Sequence, residues 1–225
     1  MTMVLLYALA GLLMGSFLKW AGDYLPRLAS SAAPSSEYTP RPISPLFWRS
    51  SIRLKESFWL GVAVEISTAL LFAYLWERFG LSWRFLILAF NCSFLLLVAI
   101  IDLKYRLVLN VLIYPAAVVT LFLRSIPPGR DTIISLLGGV VGLSLFSLAA
   151  LVRRGGMGAG DVKLAALIGL MVGFPRVLWA LALGVLAGGV TSILLLLFRL
   201  RGLKSYIPYA PFLCSGAIIT LVLLR

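Results

Sequence analysis

Residues 84–101 read RFLILAFNCSFLLLVAII, and the run passes directly into Asp102-Leu103-Lys104-Tyr105-Arg106. Apart from Arg84 at its start the stretch carries no charge, and its length approaches the roughly 20 apolar residues that a helix needs to cross the core of a bilayer. Working outward, similar runs occupy 3–19, 57–76, 107–124, 132–152, 177–198 and 207–224, with a shorter one from Val162 to Phe174. The fold class this predicts is all-α: a polytopic integral membrane helical bundle of about eight transmembrane helices, the sixth short or re-entrant. Composition agrees, because 61% hydrophobic against 12% charged residues and a mean hydropathy of +1.04 lie far outside the soluble average. The first run lacks a basic n-region and ends in Lys19 and Trp20, so it reads as a retained helix and not as a signal peptide.

The net charge of +12 invites a nucleic-acid reading. The basic residues, however, stand singly or in pairs between apolar runs and form no stripe, so no nucleic-acid partner is expected. They serve better as an orientation signal. Placing the segment 20–56 inside and alternating from there puts fourteen of the twenty lysines and arginines inside and leaves six outside, as the positive-inside rule requires. Both termini then lie outside the cytoplasm, and the excess charge faces anionic lipid. GxxxG spacings at Gly11/Gly15, Gly138/Gly142, Gly169/Gly173 and Gly184/Gly188 read as close helix packing.

Histidine is absent, and the two cysteines, Cys92 and Cys214, both sit in apolar runs. Zinc–histidine sites, Ser-His-Asp triads, Cys-His pairs and CxxC metal sites are thereby excluded, and no metal is expected. Eight acids remain. Asp23, Glu37, Glu56, Glu77 and Asp131 fall in loops or at span ends, where charge is solvated. Glu65 stands near the middle of the second span, Asp102 closes the third and Asp161 opens the sixth. An ionisable group inside or bordering hydrocarbon is costly and is by default a functional hypothesis.

The charge count puts Asp102 and Asp161 on the same side of the membrane. Two carboxyl groups sharing one proton let one activate a water while the other, protonated, polarises a carbonyl, the pattern of aspartic proteases. Blander readings stand beside this one. Asp161 precedes an apolar helix and reads equally as its N-cap; Asp102 reads as part of a short charged turn; Glu65 reads as a structural group paired with a lysine or arginine. Ahead of Asp161 runs Gly155-Gly156-Met157-Gly158-Ala159-Gly160, a Gly-rich loop over 153–161 that either lets a peptide lie close beside the acid or acts as a hinge.

At these residues the sequence resembles the type IV prepilin peptidases, membrane aspartic proteases of the GxGD class. Gly156-Met157-Gly158-Ala159-Gly160-Asp161-Val162-Lys163-Leu164 is similar to the family's second aspartate motif, and Ile101-Asp102 with Tyr105, Arg106 and Asn110 to the first. Gly15-Ser16-Phe17-Leu18 with Leu25-Pro26-Arg27 resembles the amino-terminal signature, Val64-Glu65 the second-span glutamate, and Ile207-Pro208-Tyr209-Ala210-Pro211-Phe212 the final-span proline motif. The resemblance implies a single membrane-embedded peptidase domain over 1–225 in a bacterial inner membrane. Its implied activity is removal of the leader peptide from type IV prepilins or pseudopilins at the cytoplasmic face, with Asp102 and Asp161 catalytic and Gly158, Gly160, Glu65 and Lys163 supporting.

Two departures qualify the likeness. Many members also N-methylate the new terminus with S-adenosylmethionine and carry two CxxC pairs in the first cytoplasmic loop, whereas the loop 20–56 has no cysteine here. Either methylation proceeds with a loop stabilised otherwise, or the chain is a peptidase that needs no cofactor. Leu109 stands where the family commonly has proline, which bears on the turn after Asp102. The readings set against the peptidase are an archaeal preflagellin-type peptidase, a membrane assembly scaffold and a transporter. A transporter would be expected to carry more ionisable groups at mid-membrane than Glu65 alone.

Overall fold

The computed structural model describes residues 2–32, 52–126, 130–152, 158–198 and 208–223. These form eight helices and no strand: α1 (Thr2–Ala32), α2 (Ile52–Phe79), α3 (Trp83–Tyr105), α4 (Asn110–Ser125), α5 (Arg130–Val152), α6 (Ala159–Val172), α7 (Arg176–Leu197) and α8 (Ala210–Leu223). Among the described residues, Met3–Pro26, Trp83–Tyr105, Thr132–Val152 and Arg176–Leu194 are long and apolar enough to cross a membrane, while Asn110–Ser125 and Ala210–Leu223 are shorter apolar helices. The chain divides into two compact units, Met1–Ala89 and Phe90–Arg225.

In the first unit α1 lies against α2 through its glycines. A Cβ on Gly11 would sit 2.7 Å from the Ala69 Cα, and one on Gly15 would sit 2.5 Å from the Thr68 hydroxyl. Contacts this short exist only because no side chain intervenes. At one end Tyr7 stacks on Trp76 with ring centroids 3.7 Å apart, and Phe85 meets Tyr7 edge-on at 5.5 Å. Helix α1 runs further than its apolar span. It passes through Pro26 and ends at Ala32, so the segment expected as loop from residue 20 is helical over its first part. Helix α2 likewise starts at Ile52 instead of residue 57. Hydropathy marks where a helix stays apolar and not where its backbone hydrogen bonding stops, and Ala21, Leu25, Leu28 and Ala29 are all good helix formers. The remainder of that loop, 33–51, lies outside the described residues.

The second unit is built around α6. Its Leu164, Leu167, Ile168 and Met171 are fully buried, surrounded by Leu95 and Val98 of α3, Ile113 and Ala116 of α4, Phe146 of α5, Ala180 and Leu181 of α7, and Leu213 and Ala217 of α8. A helix packed on every side carries apolar residues all round, and the sequence 162–172 does so. Glycine again sets the distances. A Cβ on Gly169 would stand 2.1 Å from the Gly138 carbonyl oxygen, and one on Gly142 would stand 2.4 Å from that of Ala165, which clamps α5 to α6. Gly184 and Gly216 bring α7 and α8 together in the same way. With 14 residues, α6 is about 21 Å long at 1.5 Å per residue, short of a hydrocarbon core of about 30 Å. It closes on Gly173, whose φ of +79° and N–H bond to the Gly169 carbonyl at 2.8 Å end the helix.

Candidate active site

Asp102 lies one turn from the C-terminal end of α3 and is 5% exposed. The helix closes behind it through the Arg106 N–H, which donates to the Asp102 carbonyl at 2.8 Å. Arg106 takes a φ of +55°, a left-handed conformation that costs a side-chain-bearing residue energy. The chain then passes to Leu109, which leads α4 with φ −76° and ψ 118°. That φ falls within the range a proline ring would impose. Leucine here holds a backbone angle that a proline could also take, and its buried side chain adds an apolar anchor.

Asp161 stands in the first turn of α6, three residues after the helix's leading Gly158. Its expected place as the N-cap is thus occupied by a residue with no side chain. The carboxylate instead reaches back and accepts from the Gly158 backbone N–H, the return half of a capping box, while the Asp161 N–H donates to the Gly158 carbonyl at 3.1 Å. Of the Gly-rich loop 153–161, residues 153–157 lie outside the described residues. Gly160 has a definite task. A Cβ there would come within 2.8 Å of the Val108 Cβ, so its bareness lets the segment after Asp102 press against the turn that carries Asp161.

The two acids are close enough for each charge to act on the other. The Ala210 N–H, at the start of α8, donates to the Asp102 carboxylate, and the Arg106 guanidinium acts on it through space. Oδ2 of Asp102 is buried and has no hydrogen-bond partner among the described residues. Tyr209 sits just ahead of α8. Its ring is partly buried and lies near the Asp161 carboxylate. Lys163 donates to the Asn110 side-chain oxygen at 2.9 Å and lies 5.5 Å from the centre of the Tyr114 ring. It thereby ties the first turns of α6 to the start of α4.

Asp102, Asp161, Gly158, Gly160 and Lys163 are accordingly gathered in the second unit. Glu65 belongs to the first, where Ser16 donates to its Oε1 at 3.1 Å and the Lys19 ammonium stands 3.9 Å away. The Lys19 stem reaches it by lying across Gly61. Among the described residues no three of His, Cys, Asp and Glu gather into a set able to hold a metal ion. Sequence reasoning passed over the Ala210 N–H and the Tyr209 ring as site components. Their signal was Pro208 and Pro211 on either side, which mark a helix start and hence free backbone donors.

Residues 89–193 match the model of the type IV leader peptidase family, a segment that contains both acids. The chain is 30% identical over 223 residues to the prepilin leader peptidase/N-methyltransferase of Bacillus subtilis, covering 93% of this chain and 90% of that protein. It is 30% identical over 164 residues to the protein of the same name from Pseudomonas aeruginosa, covering 71% of this chain and 57% of that one. The Stutzerimonas stutzeri protein gives 28% over 164 residues with the same coverage, so the match spans little more than half of these two longer relatives. No solved structure matches the chain. Similarity to the Bacillus protein along nearly its whole length, with both acids inside the matched family segment, shows that this chain belongs to the type IV leader peptidase family.

Proposed function

We propose that the chain is an aspartic endopeptidase that removes the leader peptide of type IV prepilins or pseudopilins. Cleavage occurs at the cytoplasmic face of a bacterial inner membrane, with both termini on the other side. The observation that carries this reading is the pairing of Asp102 and Asp161 from two separate helices, within reach of one another's charge, in a family of leader peptidases. Support for the sidedness comes from the fourteen-to-six distribution of basic residues.

Two carboxyl groups this close hold a single proton between them more readily than two negative charges. The ionised partner takes a proton from a water, and the resulting nucleophile attacks the scissile carbonyl. The protonated partner meanwhile hydrogen-bonds to the carbonyl oxygen and stabilises the charge that develops there. Return of the proton to the amide nitrogen breaks the C–N bond, releasing a leader with a new carboxyl end and a pilin with a new amino end. The N–H groups of Ala210 and Gly158 fix one carboxylate each, and the unpartnered Oδ2 of Asp102 is free to bond to water or substrate.

Lys163 and Gly160 position the pair, since the Lys163–Asn110 bond and the Gly160–Val108 contact both join the turn after Asp102 to the turn of Asp161. Glu65, bonded to Ser16 and Lys19, is a structural group of the first unit. Methyl transfer to the new amino end would draw on S-adenosylmethionine.

The test is co-expression with a prepilin, following leader removal by mass for the wild type and for Asp102→Asn and Asp161→Asn. Both variants are expected to abolish cleavage while remaining folded, because the amide keeps the volume of the acid. Substantial cleavage by either one overturns the acid pair. An increment of about 14 Da on the product's amino terminus would report a methyl group.

A further inference from the structure

The C-terminal end of α6 lies inside the bundle, where Met171 and Val172 are buried. The last carbonyls of a helix have no partner within it, and in a membrane interior each one left bare is costly. Here three are taken. The Gly173 N–H donates to the Gly169 carbonyl at 2.8 Å. The hydroxyl of Ser135, fully buried on α5, donates to the Leu170 carbonyl. The Arg124 guanidinium, from the last turn of α4, donates to the Met171 carbonyl. Thr132 in turn donates to the Arg124 carbonyl at 3.2 Å. A cation at a helix C-terminus meets the negative end of the helix dipole, yet a charge bordering hydrocarbon is itself costly and points to a task beyond capping.

That task follows from what α6 carries at its other end. Helix α4 is bonded to α6 twice, at its start through Asn110 and Lys163 at 2.9 Å and at its end through Arg124 and Met171, so the two helices run in the same direction. At 1.5 Å per residue α6 rises about 12 Å from Lys163 to Met171, and α4 about 21 Å from Asn110 to Arg124. The two long basic side chains take up the difference, since both lean toward the start of their own helix. Asp102 stands just before α4 across the turn 106–109, and Asp161 rides on α6. The height of α6 along α4 therefore sets the height of one acid against the other. The Gly138 and Gly142 contacts locate α6 on α5, a helix that carries neither acid.

Resting on the peptidase reading above, we propose that Arg124 is a positioning residue for the acid pair: together with Lys163 it fixes the register of α6 on α4 and so holds Asp161 level with Asp102. It acts through the helix, because Met171 lies about 15 Å along α6 from Asp161.

The register can be read without a substrate. A Cβ on Gly160 would stand 2.8 Å from the Val108 Cβ, about 1 Å inside the spacing of a disulfide. The double variant Val108→Cys with Gly160→Cys, as full-length protein in membranes, should bridge rapidly under copper phenanthroline, the native Cys92 and Cys214 being buried. Adding Arg124→Gln should slow bridging by roughly fivefold or more, since a disulfide tolerates little misplacement, and Arg124→Lys should restore the rate. Arg176→Gln, at an exposed position just beyond α6, should leave it unchanged. Bridging as fast with Arg124→Gln as without it overturns the proposal. So does bridging slowed equally by Arg124→Lys, which would mark Arg124 as packing alone.

The second readout is the pH profile of prepilin cleavage in the chain with its native Val108 and Gly160. Two acids that act on one another titrate in two steps, and the steps draw together as the acids move apart. In Arg124→Gln we expect kcat to fall with KM unchanged and the profile to narrow by about half a pH unit or more. Arg106, Tyr209 and Cys214, which also face the pair, and Lys163 beside it are the same in both proteins. A smaller folded fraction would lower the curve and keep its shape, and an unchanged shape overturns the proposal. A wild type that cuts no prepilin is a different result: it removes the peptidase reading, while the bridging rates still decide the register.

Discussion

At Asp161 a single carboxylate has two tasks. It belongs to the acid pair, and it holds the first turn of α6 by accepting from the Gly158 N–H. Substitutions should separate the two. Asp161→Asn retains an oxygen for that N–H and should keep the wild-type melting temperature in detergent while losing cleavage. Asp161→Ala should lose cleavage and also about 1 kcal/mol of stability, the usual worth of such a cap. Equal melting temperatures for the two variants would show that the bond to Gly158 holds nothing. Both acids were legible in the sequence because an acid at the edge of hydrocarbon is costly and few are present. The Ala210 N–H was not, since a main-chain donor carries no letter of its own. Glu65 was legible as an anomaly, and its partners follow from the α1–α2 packing that brings Ser16 and Lys19 to it.

Among the elements, α6 depends most on what its glycines lack. Gly169 faces the Gly138 carbonyl so closely that Gly169→Ala must push α5 and α6 apart, at a cost of about 1–3 kcal/mol for an overpacked contact. Gly189 has nothing within 4 Å of a Cβ, so Gly189→Ala should be neutral or stabilising, as alanine favours helix by up to about 1 kcal/mol. Thermal melting of the two variants side by side checks this, and a Gly169→Ala protein as stable as wild type would refute the clamp. The GxxxG spacings announced close packing without naming partners, because a helix face does not specify which distant helix will meet it. Gly173 shows this most clearly: it packs against α5, where a Cβ on Gly138 would stand 2.8 Å from its Cα, and its φ of +79° also ends α6, a second task that spacing does not announce. Helix ends were also less legible than helix centres, as the early start of α6 at Ala159 and the long tail of α1 show.

For the molecule as a whole, the distribution of charge yields a prediction about sidedness. Leu103 is 48% exposed beside Asp102, whereas Cys92 and Cys214 are buried and should stay silent to a thiol reagent. A membrane-impermeant maleimide should therefore label Leu103→Cys in inverted vesicles and leave it unlabelled in intact cells. The opposite pattern would move the acid pair to the outer face. The all-helical class was legible from hydropathy alone; the division into two units was not, because it rests on which helices pair, and pairing is settled by contacts between residues far apart in the chain. Each acid is seated by a main-chain donor at a helix start, Gly158 ahead of α6 and Ala210 at the head of α8, and every residue but proline supplies such a donor. The seat is thus invisible to any comparison of side-chain letters. A search for this kind of centre among unfamiliar membrane chains should be keyed to shape: two helix beginnings turned toward one helix ending, with an acid at hand for each, whatever residues spell the caps.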